Sequence, residues 1–199
     1  MLITGDRNEQ RRYAAVLVLK ELALNSATLV YSYVPQILDC IWVALRDQKV
    51  FIREGAAEAL RASLKLVQIR ENQMKKNLYK KLFEEAQKGI KGNTNPDIIH
   101  GSLLALCEIS IHTVKFQDGR FSEICNIILK FREHRDPLVK KTIIQMIPIL
   151  AELDPEQFYK DSNLSVSMTY LISQLKRDRE KAVGMFFSPL IHPSFYFNR

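Results

Sequence analysis

The sequence predicts an all-α fold arranged as a helical-repeat solenoid, and three observations support this prediction. Hydrophobic residues make up 47% of the 199 residues, charged residues make up 26%, and Gly and Pro number only seven each. This composition indicates a folded protein with few of the turn residues that an all-β chain needs. Apolar residues recur at helical spacing along most of the chain. A pattern of one turn followed by one helix also returns at a nearly constant interval.

The repeat is clearest at 47–66, which reads DQKVFIREGAAEALRASLKL. Asp47 closes a turn, Arg53 lies at the start of the next helix, and Ala57 belongs to a small-residue face that lets a neighbouring helix approach closely. The pattern begins at five positions, which are Asp6, Asp47, Asn95, Asp136 and Asp178. These positions are separated by 41, 48, 41 and 42 residues. HEAT and armadillo repeats recur at about 40–47 residues, and each buries its apolar face only against its neighbours.

Each helix is predicted from its apolar stripe and its boundary residues. The expected helices lie at 7–24, from Pro35 to Leu45, and at about 50–68, 75–91, 95–112, 120–133, 136–154 and 164–175. Asp6 is expected to cap the first helix, and Asp136 with Pro137 to start the seventh, because Asp accepts first-turn amides and Pro lacks one. Pro148 is expected to kink that seventh helix. Asp178 is expected to reopen the repeat turn.

The helix over 50–68 is expected to expose its charged residues. Arg53 with Glu54, and Glu58 with Arg61, are interpreted as pairs on its solvent face.

Two regions are predicted. Residues 1–183 form about four HEAT-like helical pairs, preceded by an unpaired first helix and closed by a broken last repeat. Residues 184–199 form an irregular tail that carries Pro189 and Pro193. No signal peptide is expected, and no stretch is expected to be long and apolar enough to span a bilayer. The cysteines are far apart, which predicts reduced core thiols in an intracellular protein; they are Cys40, Cys107 and Cys125.

The net charge of +7 is concentrated locally, because residues 61–91 hold nine Lys and Arg against three Glu. The lysines of the 75–91 helix lie on both flanks of its apolar stripe, with Tyr79 as the one aromatic candidate for exposure. A solvated flank is the simpler interpretation, and a surface for nucleic acid or another polyanion is the alternative. The residues of this candidate interaction surface are Lys75, Lys76, Lys80 and Lys81.

The sequence predicts no catalytic residue, no metal site and no cofactor. His134-Arg135-Asp136 matches the catalytic-loop triplet of protein kinases, in which an Asn five residues after the Asp holds a metal ion. Lys141 occupies that position here, and no glycine-rich phosphate loop accompanies the triplet. The histidines and cysteines lack the spacing of metal ligands or of a nucleophile with its base.

Several strings resemble the N-terminal HEAT region of the target of rapamycin (TOR) kinases, which are large serine/threonine protein kinases of the phosphatidylinositol-3-kinase-related group. They are DRNEQRRYAAVLVLKELAL at 6–24, the Trp42 helix, IREGAAEALRASL at 52–64, FEEAQKG at 83–89 and IHGSLLAL at 99–106. The resemblance is dense over 6–109 and stays in register over 120–183. The chain departs from the family in a short turn before Arg120, where the family often has a long insert. It also departs after Val183, as a truncated or alternatively joined product would.

The resemblance implies a superhelical scaffold segment without the kinase lobes, so no catalytic residue is carried over. It implies protein partners of the raptor and rictor types. It also implies a cytoplasmic location, with endomembrane association through the complex. Binding of nucleic acid or acidic surfaces through 61–91 remains the alternative function.

Overall fold

The computed structural model describes residues 7–68, 73–92, 95–112, 120–160 and 162–179. Within these residues the chain forms α-helices and one 3-10 turn and contains no strand, so the predicted all-α fold is confirmed. The helices are α1 (Glu9–Asn25), α2 (Ala27–Val30), α3 (Val34–Leu45), α4 (Val50–Gln68), α5 (Gln73–Ile90), α6 (Pro96–His112), α7 (Phe121–Lys130), α8 (Pro137–Leu153), α9 (Pro155–Lys160) and α10 (Asn163–Arg179). The predicted boundary at 183 and the tail after it lie outside the described residues.

The longer helices form two layers. Helices α1, α4, α6 and α8 each contact the next, and we call them the second-helix layer. Helices α3, α5 and α7 pack on α4, α6 and α8 respectively, and we call them the first-helix layer. The core between the layers is continuous from Val16 on α1 to Leu150 on α8. The result is a stack of helical pairs in which each pair buries its apolar face against the next.

Small residues set the close approach of the helices. Ala57 and its small neighbours on α4 are buried, as the sequence predicts. Gly101 on α6 lies directly against the end of α3, because a Cβ at this position would overlap the carbonyl oxygen of Leu45. Gly55 on α4 makes a looser contact beneath the Tyr13 ring of α1, where an added Cβ would lie 3.1 Å from a ring carbon. The contact at Gly101 therefore requires glycine, whereas at Gly55 a larger residue would only have to displace the Tyr13 ring slightly.

The N-terminal cap differs from the prediction. Asn8, and not Asp6, caps α1: its side chain accepts hydrogen bonds from the amides of Gln10 and Arg11. Asp6 lies outside the described residues. The cap of α8 is as predicted, because the Asp136 side chain accepts from the amides of Leu138 and Val139. Asn and Asp cap a helix equally well, so composition alone does not choose between Asp6 and Asn8.

Three local features were not predicted. The short helix α2 and the 3-10 turn Tyr31–Tyr33 lead into α3, and the short helix α9 follows Asp154, whose carboxylate accepts from the Gln157 amide.

Pro148 lies inside α8, which continues beyond it to Leu153. Asp178 does not open a repeat turn, because α10 runs through it to Arg179.

One run, Ala27–Leu45, is long and apolar enough by composition to cross a membrane, so the expectation that no stretch reaches this length was wrong. The run is interrupted by the 3-10 turn Tyr31–Tyr33 and carries Asp39. Its α3 part buries Leu38, Ile41 and Leu45 against the neighbouring helices. This burial is typical of a core helix in a stack of helices.

Candidate interaction surfaces and the polar ladder beneath them

The side chain of Arg53 is buried, with 1% exposure, and does not lie on the solvent face where the sequence placed it. Its Nη1 donates to the carbonyl oxygens of Asp47 and Gln48 at 2.7 and 3.0 Å and lies 2.8 Å from Oδ1 of Asp97. Its Nε donates to Nδ1 of His100 at 3.0 Å. A buried guanidinium is tolerated when its N–H groups are paired, and these contacts join the α3–α4 turn to α6.

Arg12 occupies the equivalent position one repeat earlier. Its Nε donates to Oδ2 of Asp47 at 2.6 Å and its Nη2 to Oδ1 at 3.1 Å, which ties α1 to the turn before α4. Burial raises the pKa of the Asp47 carboxyl, but hydrogen bonds from Arg12 and the Lys49 amide, with the charge of Arg53, outweigh it and lower the pKa overall. Arg12 therefore reaches forward to the turn before α4, and Arg53 reaches forward to side chains on α6.

A second set of ion pairs crosses the same layer farther along the helices. Lys20 on α1 donates to Oε2 of Glu58 on α4 at 2.8 Å. Arg61 on α4 makes a bidentate pair with Glu108 on α6, at 2.9 and 2.7 Å. Glu108 is buried, and its hydrogen bonds raise the pKa of Arg61. We call the four cations with their acceptors the polar ladder; the cations are Arg12, Lys20, Arg53 and Arg61.

The spacing of these cations in the sequence indicates the ladder. Arg12 and Arg53 are 41 residues apart, as are Lys20 and Arg61, and Asp6 and Asp47 share the same spacing. Cations at one repeat spacing on successive helices occupy the same position in each repeat, so they reach the same site on the next helix. The acceptors Asp97, His100 and Glu108 could not be chosen without the packing of α4 on α6.

Exposed ion pairs also link the first-helix layer. Lys81 on α5 lies 2.8 Å from Asp39 on α3, and Arg46 lies 3.2 Å from Glu85. Lys91, just after α5, lies 3.4 Å from Glu123 on α7. Exposed pairs of this kind contribute about 0–1 kcal/mol each.

The candidate lysine surface is partly neutralised by acidic neighbours. Lys81 pairs with Asp39, and Lys80 lies 3.9 Å from Glu84. Lys75 donates to the backbone carbonyl of Gln68 at 3.3 Å, and Lys76 is exposed. Tyr79 is buried, with 4% exposure, so the expectation that it is an exposed aromatic was wrong. The surface thus lacks the stacking ring that single-stranded nucleic-acid sites commonly use.

The kinase-like triplet is used to build a turn. The Asp136 carboxylate caps α8, and the Asp136 amide donates to Nδ1 of His134 at 3.1 Å.

His100 is buried beside Arg53, and burial with that charge lowers its pKa to about 4. Across the described part of the chain, no three His, Cys, Asp or Glu side chains gather in a group that could hold a metal ion. The cysteines are free thiols, of which Cys125 is buried.

Two helices expose apolar stripes. On α1, Val18 is 57% and Leu22 40% exposed. On α10, the predicted stripe is also largely exposed among the described residues, with Met168, Ile172 and Leu175 at 46–48%. These two stripes form apolar surfaces near the two ends of the described stack, one on α1 and one on α10.

The layered helices and the ladder define a helical-repeat segment whose buried polar residues are structural. The sequence comparisons then give the particular protein family. The chain is 40% identical over 179 residues to the serine/threonine-protein kinase TOR of Arabidopsis thaliana, a match that covers 90% of this chain and 7% of that protein. It is 39% identical over 182 residues to tor1 of Schizosaccharomyces pombe, covering 92% of this chain and 8% of that protein. It is 34% identical over 177 residues to TOR2 of Saccharomyces cerevisiae, covering 86% of this chain and 7% of that protein. No protein-family model matches the chain.

This chain is therefore a TOR-like segment, and it spans less than a tenth of the length of the curated relatives it matches. The 199 residues correspond to a non-kinase part of those proteins, since they cover about 7% of their length and form helices without strands in the described residues.

Proposed function

We propose that this segment is a non-catalytic scaffold that helps to assemble a TOR-type kinase complex in growth and nutrient signalling, by holding a protein subunit of the raptor or rictor type. The observation that carries this proposal is the sequence identity of 34–40% with TOR kinases over about nine tenths of the chain. A segment of that length and composition, without a catalytic set, is best suited to binding another protein. We place this activity in the cytoplasm.

The packing supports a scaffold role. Ladder contacts such as Arg12 with Asp47 and Arg61 with Glu108 fix the register of successive helices, and the glycine contacts fix their separation. A partner would therefore bind side chains that the packing already orders. Less conformational entropy is then lost on binding.

Binding of polyanions through 61–91 is the weaker alternative. Binding of polyanions depends on unpaired positive charge, whereas Lys80 and Lys81 lie beside Glu84 and Asp39. Single-stranded nucleic-acid sites commonly add exposed rings, and Tyr79 is buried. Two of the four candidate lysines thus act partly within the segment's own ion pairs.

The test is co-purification of the chain with raptor-type and rictor-type subunits at physiological salt, run beside retention on a polyanion resin over a salt gradient. We expect a stable complex with at least one subunit and only weak retention on the resin. Two single reversals of exposed lysines locate the surface: Lys76→Glu for the first-helix layer and Lys65→Glu for the second-helix layer. Failure to bind either subunit would reject the scaffold proposal, and steep salt-dependent retention would favour the alternative.

A further inference from the structure

The turn between α7 and α8 concentrates positive charge. Residues 130–141 hold five Lys and Arg against two acids, Glu133 and Asp136. The Asp136 carboxylate caps α8 by accepting from two backbone amides, which leaves the exposed Glu133 as the other acid of this stretch. Among the cations, Arg132 uses Nη1 to donate to the carbonyl oxygen of Leu129 at 2.8 Å. Most of the positive charge of the stretch is therefore not offset locally.

Within the part of the chain that the structure describes, the other four cations make no hydrogen bond or ion pair through their side chains. Two are exposed and two are half-buried, and we call them the turn cluster; they are Lys130, Arg135, Lys140 and Lys141. Lys141 lies two residues after the buried Val139, about 200° around α8, so it points away from the core. A partly buried lysine is normally paired, because water solvates its charge incompletely.

The turns of the two preceding helical pairs, at 46–49 and 91–95, use their cations differently. Each cation there lies beside an acid of another helix; the pairs are Arg46–Glu85, Lys49–Glu9 and Lys91–Glu123, at 3.2, 2.7 and 3.4 Å. Because repeats stack side by side, a following repeat covers the flanks of α7 and α8 and leaves their connecting turn at the rim. The turn cluster is therefore a positive surface at the rim of the stack, without the acidic partners that the earlier turns have.

We propose that the turn cluster is a docking surface for an acidic segment of a protein partner, whose Asp or Glu side chains pair with these cations. Complementary charge at the rim of an interface steers association and selects the partner. The inference rests on the proposed scaffold function, because it gives the surface and the chemistry by which the scaffold holds a subunit.

The rings in this stretch favour an acidic protein segment over single-stranded nucleic acid. The rings between Lys130 and Lys141 are those of Phe131 and His134, and both side chains are half-buried. Their centroids lie 6.0 Å apart, so each ring lies against the other. Sites for single strands commonly offer exposed rings on which bases stack, and the turn cluster has none within its own stretch.

The test measures binding of the whole chain to the raptor-type and rictor-type subunits and, separately, to a labelled oligoglutamate peptide. We expect Arg135→Glu and Lys141→Glu each to weaken binding to a subunit and to the peptide about tenfold, because each replaces an attraction by a repulsion. Both variants should stay folded by circular dichroism, since Arg135 is exposed and an acid near the start of α8 is favourable. Lys76→Glu is the matched control, because it makes the same change at an exposed lysine near the start of α5, and it should leave both affinities unchanged.

The two probes separate failure of this inference from failure of the scaffold proposal. A subunit that binds the two variants as tightly as the unaltered chain would overturn the inference and leave the scaffold proposal standing. If neither subunit binds, the scaffold proposal fails and the peptide decides: losses confined to Arg135→Glu and Lys141→Glu would support the turn cluster, and absence of peptide binding would overturn it. An equal loss in Lys76→Glu would show a general effect of net charge and overturn it. Tighter binding of an oligothymidylate of equal charge would assign the surface to nucleic acid and also overturn it.

Discussion

Nε of Arg53 on α4 donates a hydrogen bond to Nδ1 of His100 on α6 at 3.0 Å, with both side chains buried. A ring nitrogen that accepts must be unprotonated, so the imidazole is neutral and carries its proton on Nε2. The same guanidinium also contacts Asp97 and two carbonyl oxygens of the α3–α4 turn. One side chain thus fixes how α4 sits on α6, and its removal would leave several buried acceptors without a donor.

Arg53→Met should destabilise the fold by about 3 kcal/mol, because a buried pair loses one partner and its carbonyl oxygens lose their donor. Arg53→Lys should cost less, about 1–2 kcal/mol, because the charge is kept while the planar fork is lost. Urea unfolding midpoints would measure both changes. Lys88→Met, at an exposed lysine of α5, serves as the control and should shift the midpoint little. Equal midpoints for Arg53→Met and the control would contradict the buried role.

Glu108→Ala should be similarly costly, for a different reason. It removes the bidentate acceptor of Arg61, the pair that joins the middle of α4 to α6. Glu108 is buried while the Arg61 side chain is partly exposed, so the arginine can turn toward water, and we expect about 2 kcal/mol. Pairing this change with Arg61→Ala in a double-mutant cycle isolates the contact itself. Strictly additive losses would show that the two residues do not interact in solution.

The stability of the fold should fall as the pH drops below about 6.5. Burial lowers the pKa values of both His100 and His112 to about 4, from 6.5. Between these values the unfolded chain binds protons that the folded chain does not, so stability is full above about pH 6.5 and declines toward pH 4. From pH 7 to pH 5 each histidine should account for about 2 kcal/mol.

His100→Asn tests this contribution, since the amide oxygen can still accept from Arg53 but does not titrate. Its loss of stability between pH 7 and pH 5, measured by urea unfolding, should be smaller than that of the unaltered chain. An identical loss in both proteins would show that His100 titrates normally in the folded state.

Gly101→Ala should destabilise the fold by about 3 kcal/mol, because the added Cβ would overlap the carbonyl oxygen of Leu45, which backbone packing holds in place. Gly92→Ala is the matched comparison. Gly92 has φ of 80° and no atom within 4 Å of an added Cβ, so only the conformational cost of about 1 kcal/mol applies. Thermal unfolding would rank the two, and a smaller effect at Gly101 would contradict the close approach of α6 to α3.

Replacing the four candidate lysines with Gln should leave the fold intact and partner binding nearly unchanged; they are Lys75, Lys76, Lys80 and Lys81. The Lys81–Asp39 pair that is lost is exposed on both sides and is worth less than about 1 kcal/mol. Circular dichroism and co-purification with the raptor-type or rictor-type subunit would measure the outcome. A loss of binding that grows with ionic strength would instead assign these lysines to the interface.

Two errors of the sequence interpretation, at Arg53 and Tyr79, share one cause. Arg53 and Tyr79 are polar or amphipathic residues that the helical pattern placed on the solvent side, yet the neighbouring helices bury both. Asp178 matched the repeat spacing but lies within α10, since one acidic residue does not end a helix without a breaking residue beside it. For Arg53 and Tyr79 the pattern described one helix, and the outcome depended on the helices that lie against it.

The sequence by itself determined the all-α class, the positions of the main helices and the resemblance to TOR kinases. These features follow from apolar periodicity, capping residues and residue identity, all of which act over a few turns of chain. Only the tertiary structure decided which acceptor each ladder cation meets, such as Arg53 with His100 and Arg61 with Glu108, each 47 residues away. It also decided that the outer side of α1 is apolar and exposed. The physical reason is that contacts between helices depend on their relative rotation and separation, which the packing of small residues such as Gly101 sets and no local pattern contains.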